Sequence, residues 1–174
     1  MGRTKALIEI EGVAMGARVA QALRDAGCAR VVAYGGDPDE MAALGLAVWP
    51  DRYPGTGPLG GVLGLLEALA DEPAGAAVVV AACDLPSLHG EVLLGLVDAL
   101  RADPAADVAV ARTARIEPAC AVWRISVVGR LRAMFERGER ALHVAIGGLE
   151  TVQVDVDPAA LRNINTPDEL GRYS

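Results

Sequence analysis

The stretch AAVVVAAC, residues 76–83, is apolar at every position and stops abruptly at Asp84. A strand with one wet face alternates polar and apolar residues, so an unbroken apolar run needs cover on both faces, as in a central parallel strand under two helix layers. Extended back to Ala74 it is still about half the roughly 20 residues a membrane helix needs. The run therefore predicts the middle of a layered α/β sheet, with Asp84 at a strand's carboxyl end.

The flanking pattern agrees. From Met15 to Gly27 the residues Met15, Val19, Ala22, Leu23 and Ala26 recur at helical spacing, and Gly27 supplies a stop. RVVAY reads as a strand. In DPDE, Asp37 offers an N-cap and Pro38 the first helical position, opening a short helix to about Leu44. LAVW is the next strand, PDRYPGTGPLGG a loop, and LGGVLGLLEALAD a helix. A helix around Glu91 to Leu100 follows, then strands DVAVA and EPACAVW, helices across Val127 to Arg137 and Arg140 to Ile146, and strand TVQVD. Thr166, Pro167 and Glu169 stand in capping-box register for a last short helix. This succession predicts an α/β fold with a mostly parallel sheet and helices on both faces.

Composition narrows what such a sheet can serve. At 174 residues one domain spanning 1–174 is expected. Hydrophobic residues make up 52% but aromatics only 3%, so the core must come from Ala, Val and Leu, and a base-stacking surface is not supported. A net charge of −7 gives no footprint for a nucleic-acid backbone or an anionic membrane. Cys28, Cys83 and Cys120 are odd in number and lack C-x-x-C spacing, which predicts neither a disulfide framework nor a zinc site and makes a reducing cytoplasm the simplest setting.

In open α/β sheets ligands sit outside the carboxyl ends of the strands, where Asp84 stands. A carboxylate there suits a divalent cation with oxygen ligands; equally, it can simply end the strand or cap the next helix. GTGPLGG, residues 55–61, lets backbone approach a ligand because glycines lack Cβ, and the helix after it presents a positive dipole end to an anion. Taken alone, a tight loop before a helix explains it as well, and no G-K-[ST] follows to make a Walker motif. Lys5 suits a polyphosphate, or plain solvation. Asn163 and Asn165 project to one side if their segment is extended, or serve the turn before the last helix. His89 and His143 have no partners at ligand or triad spacing and receive no role, and Asp37 is explained as an N-cap.

The order of these features resembles one family. MGRTKALIEIEG, GTGPLGGVLGLLEAL, CDLPSL, a GER before a helix and a terminal NINTPDEL together resemble the molybdenum cofactor guanylyltransferases, over nearly the whole chain. Cytidylyltransferases and sugar-phosphate nucleotidyltransferases share the glycine-rich start and the CD strand end, whereas NINTPDEL favours the guanylyl branch. The resemblance implies a Rossmann-like nucleotidyltransferase fold that transfers GMP from GTP to molybdopterin cofactor with release of pyrophosphate. It implies Mg2+ as cofactor, with molybdoenzyme or chaperone partners beyond GTP and molybdopterin. Carried over by position, Lys5 meets the triphosphate, Asp84 holds the metal, Gly57, Pro58, Leu59 and Gly60 lie beside the nucleotide, and Asn163 and Asn165 line the acceptor side. Asp51 is the nearest candidate for the acidic residue that serves base and ribose.

In that family the chain starts with a strand and a loop of the type L-A-G-G-x-S-x-R, to which nothing in this sequence corresponds. The expectation is that residues upstream of Met1 encode them and that the sheet shows an empty groove between RVVAY and AAVVVAAC. Two other functions stay open on the residues alone: cytidylyl or guanylyl transfer to another small phosphorylated acceptor, and a binding or scaffolding domain without transferase activity.

Overall fold

The computed structural model describes residues 4–73 and 75–163. In chain order a 3-10 turn at Lys5–Leu7 leads to the hairpin β1 (Glu9–Ile10) and β2 (Val13–Ala14), then α1 (Met15–Asp25), β3 (Val32–Tyr34), α2 (Pro38–Ala42) and β4 (Ala47–Trp49). There follow α3 (Pro58–Ala68), β5 (Ala77–Ala81), α4 (Gly90–Ala102), β6 (Val108–Arg112) and β7 (Ile116–Arg124). A 3-10 turn at Ile125–Val127, α5 (Val128–Glu136), α6 (Leu142–Gly147), β8 (Thr151–Asp155) and a 3-10 turn at Pro158–Leu161 complete the described order.

Every helix and strand expected within these residues is present, with ends moved by a few positions. The last short helix, expected from the capping box at Thr166, Pro167 and Glu169, lies outside the described residues, as does Asn165. Local chemistry explains the boundaries. Asp37 accepts from the Asp39 and Glu40 amides at the start of α2. At the end of α1, Gly27 adopts φ +80° while the Cys28 amide bonds Leu23 O at 3.1 Å and the Gly27 amide bonds Arg24 O at 2.9 Å, a Schellman closure. The β1–β2 hairpin was not expected. Its two turn residues, Glu11 and Gly12, both sit at positive φ, the geometry of a type I′ turn.

Four strands form one sheet in the order β5-β7-β6-β8. β7 runs antiparallel to β5 and to β6, while β6 and β8 are parallel, so three strands point one way and β7 points against them. The sheet is thus mixed in its pairings. The physical reason is the short link between β6 and β7, residues 113–115, where Thr113 N bonds Arg115 O at 2.9 Å. A parallel crossover needs about a dozen residues or more, so this connection can only turn back.

Side chains leave the sheet alternately and feed two cores. Val108, Val110, Ala121 and Trp123 meet α3, α5 and α6 on one face, whereas Ala109, Ala111, Cys120 and Val122 meet α1 and α4 on the other. Helices therefore cover both faces, as the apolar strand run required.

β3 and β4 form a separate parallel pair that is not hydrogen-bonded to the larger sheet. Between β3 and β5 lies an apolar groove of about 550 Å³, lined by Val31, Val32 and Ala33 on one side and Val79, Val80 and Ala81 on the other. This is the empty groove the sequence led us to expect. It also changes the standing of β5: the run AAVVVAAC edges the four-stranded sheet, and Val78 to Ala81 are only half-buried, whereas Val108 to Ala111 of β6 are fully buried.

The backbone edge of β5 opposite β7, and that of β3 opposite β4, have no strand across from them among the described residues. Amide hydrogen exchange should reveal this directly: the groove-facing amides of β3 and β5 should exchange at least about tenfold faster than those of β6. Equal protection across the three strands would contradict the open groove.

Candidate functional site

The groove has a polar end. β5 finishes at Ala81, Ala82 still bonds Ala119 O through its amide at 2.9 Å, and Cys83 and Asp84 then line the groove beside Thr4. The Asp84 side chain is 15% exposed, and Lys5 Nζ lies 3.3 Å from its Oδ2. These two residues are 79 positions apart in sequence, so their meeting is a product of the fold. α4 begins at Gly90 with His89 at its N-cap, so Asp84 does not cap that helix. The Thr4 hydroxyl donates to Glu40, which ties the Lys5 turn to α2.

A carboxylate and an ammonium side by side at a strand's carboxyl end can gather a cation and an anion in one place. Among the described residues no group of three or more His, Cys, Asp or Glu side chains converges to cage a metal. A lone carboxylate instead fits Mg2+, which keeps most of its ligands as water and phosphate oxygens.

The glycine loop behaves differently from the expectation of amides presented to an anion. Pro58 has no N–H, the Leu59 amide bonds Arg140 O at 3.3 Å, and the Gly60 and Gly61 amides bond Gly57 O at 3.1 and 3.4 Å. The first turn of α3 has thus spent its donors within the protein. Gly57 is a glycine because its φ is +86° and a Cβ there would stand 3.2 Å from Arg140 O. Leu59 is fully buried against Trp123 and Leu131 in the core under α3. Gly60 packs against Thr56, Tyr53 and Phe135. Of the four loop residues carried over from the family, Pro58 alone reaches the groove, accompanied by Gly61, Val62 and Leu65. The GER segment gains a clear role: Arg140 caps α3 with its carbonyl while its guanidinium lies 3.9 Å over the Phe135 ring.

Asp51 Oδ1 accepts from the Tyr53 amide at 2.9 Å, so this carboxylate shapes its own loop. Asn163 is exposed beyond the turn at Pro158–Leu161 and is not among the groove-lining residues. The structure therefore brings Asp84 and Pro58 to one groove, with Lys5 against Asp84 at its polar end.

Sequence reasoning missed a second polar cluster. The side chain of Glu67 on α3 is 3% exposed and receives Arg52 Nη1 at 2.8 Å, Arg132 Nη2 at 2.7 Å and the Tyr53 hydroxyl at 3.0 Å. Burial works against its charge, but bonds from Arg132, Tyr53 and Arg52 outweigh that and hold the carboxyl below its ordinary value. Tyr34 joins in, its hydroxyl accepting from the Arg52 amide at 3.0 Å. The available signal was Glu67 itself, the single charged residue inside the apolar helix GPLGGVLGLLEAL.

The fold is that of nucleotidyltransferases. The molybdopterin-guanine dinucleotide biosynthesis protein A of Archaeoglobus fulgidus superposes with a TM-score of 0.74 at 23% identity, over 97% of this chain and 88% of that one. The 2-C-methyl-D-erythritol 4-phosphate cytidylyltransferase of Thermus thermophilus superposes at 0.72 and 17% identity, over 97% and 91%. In sequence, the MobA-like NTP transferase domain family matches residues 1–152. The molybdenum cofactor guanylyltransferase of Rhodobacter capsulatus is 38% identical over 99% of this chain and 87% of its own length, and that of Rhizobium meliloti 32% identical over 98% and 83%. The chain belongs to the molybdenum cofactor guanylyltransferase family.

Gly64 offers a check on the packing beside the groove. A Cβ there would stand 2.2 Å from Tyr34 Oη and 3.1 Å from Arg52 Cβ, so Gly64→Ala forces both away. We expect a loss of about 1–3 kcal/mol in urea denaturation. A change within experimental error would show that α3 does not pack against this loop as described.

Proposed function

We propose that this chain transfers GMP from GTP to the phosphate of molybdopterin cofactor. The observation that carries the proposal is the 38% identity to the Rhodobacter capsulatus guanylyltransferase across 99% of this chain. An oxygen of the acceptor phosphate attacks the α-phosphorus of GTP; the new P–O bond forms as the bond to the β-phosphate oxygen breaks, and pyrophosphate leaves. No protein nucleophile is needed. Both reactants are anions, so the task of the protein is to hold them together and offset charge.

Asp84 and Lys5 are the residues we assign to that task. Lys5 meets the triphosphate, releasing its contact with Asp84 Oδ2 as the phosphates arrive. Asp84 is the residue that would hold Mg2+, which when bound supplies charge neutralisation for the phosphates. With the lysine 3.3 Å away, the carboxylate is already partly neutralised, so the phosphates that draw Lys5 off would also make Asp84 a better ligand for the metal. Pro58 and its neighbours on α3 form an apolar wall for the nucleotide, and Asn163 with Asn165 serves the acceptor from the segment after β8. The reaction runs in the cytoplasm in this reading, in keeping with the cysteine pattern.

The direct test mixes protein, magnesium and molybdopterin with each of the four labelled nucleoside triphosphates. Label should pass to the pterin from GTP alone and stop on addition of a chelator. Label from CTP alone would overturn the guanylyl assignment, and label from none would favour a binding domain. Asp84→Asn removes a charge at nearly constant volume, and it should lower kcat by about a hundredfold or more with the thermal unfolding midpoint unchanged. Equal turnover by parent and variant would remove Asp84 from the mechanism.

A further inference from the structure

We propose that Glu67 is a positioning residue, which clamps the loop between β4 and α3 so that the nucleotide side of the groove keeps its shape. The inference rests on the nucleotide-transfer reading above for what the groove binds, and on geometry for the clamp itself.

Gly60, Gly64 and Glu67 lie at helical spacing on one face of α3. The loop lies along that face. At Gly60 the missing Cβ admits Thr56 and Tyr53; at Gly64 it admits the Tyr34 hydroxyl and Arg52. Glu67 then closes the contact with its bonds to Arg52 and the Tyr53 hydroxyl. Two bare positions allow the close approach, and one charged position holds it.

Both ends of this loop touch the groove. At one end the Arg52 amide is bonded to Tyr34, which lines the groove with Gly35, and at the other the chain enters α3 through the lining residue Pro58. A displacement of the loop therefore moves groove walls on the β3 side and the α3 side together. Arg132 of α5 has a different place. Two of its guanidinium nitrogens bond Glu67 Oε1, so it anchors the carboxylate from α5. The side chain of Arg52 is 61% exposed and that of Arg132 52%, so either can be replaced without opening the core, whereas Glu67 is 3% exposed.

The test compares Glu67→Gln, which keeps the volume and removes the charge, with Arg52→Gln and Arg132→Gln in the whole chain. Two readouts are taken: amide exchange across residues 52–57, and KM and kcat for GTP below the unfolding transition. Glu67→Gln should speed exchange of the Arg52, Tyr53 and Thr56 amides about tenfold and raise KM about tenfold with kcat within about threefold of the parent. Arg52→Gln should move both readouts the same way. Arg132→Gln, which loosens the anchor but spares the bonds from Glu67 to the loop, should lower the unfolding midpoint and raise KM less than either of the other two variants. If Glu67→Gln lowers only the midpoint, with loop exchange and KM as in the parent, Glu67 is merely structural and the proposal is overturned. A parent protein without turnover of GTP would instead overturn the transfer reading, and the exchange measurement would still decide the clamp.

Discussion

The β6–β7 pair is the contact on which the remaining architecture depends. It sits in the middle of the larger sheet, and its residues from Val108 to Ala111 and from Cys120 to Trp123 are all buried. The pleat sends alternate side chains to opposite faces, so this one ladder seeds both cores. Trp123 and Val110 give α3, α5 and α6 a surface to cover, and Cys120 and Val122 do the same for α1 and α4. Small Ala residues interleave with Val along the ladder, which lets helices made mostly of Ala and Leu approach closely without large aromatics. β5 and β8 attach to the two sides of this pair, and the position of Asp84 at the end of β5 follows from that attachment.

The groove between β3 and β5 gives the site its location. Strand edges that face each other without pairing leave half-buried Val and Ala side chains along a channel, and the channel opens at the carboxyl end of β5 beside Lys5 and Asp84. α3 forms part of the lining with Pro58, Gly61, Val62 and Leu65, while its opposite face carries Leu59, Leu63 and Leu66 into the core. One helix thus belongs to both the core and the site. That double use explains why its sequence is apolar nearly all round and why Glu67 stands out in it.

Much of this was legible in the sequence because the signals were local. Asp37 followed by Pro38 marks the start of α2, Gly27 marks the end of α1, and the unbroken AAVVVAAC marks a strand that ends just before Asp84; each is settled by a few neighbouring residues. β7 is the exception to the mostly parallel sheet that the alternation of strands and helices predicts, and its reversal follows from the three-residue link before it. The glycine loop was open to two readings, a ligand cradle or a tight turn before α3. Whether the Leu59 amide is free depends on Arg140, which lies 81 positions away and docks its carbonyl there. Spacing along the chain does not encode such a contact. The Glu67 cluster was hidden likewise, because Arg52, Tyr53 and Arg132 converge on it only after α3 and α5 have packed.

The central claim is that the polar end of the groove, with Asp84 and Lys5, receives the triphosphate of GTP. A crystal structure of the chain with magnesium and a GTP analogue that cannot transfer its nucleotidyl group tests this most directly. The account predicts phosphate oxygens in contact with Lys5 Nζ, the metal bound to an Asp84 carboxylate oxygen, and the nucleoside running along Pro58 on the wall of α3. A nucleotide seated elsewhere, or one bound at the groove with Asp84 still paired to Lys5 and touching no metal, would contradict it.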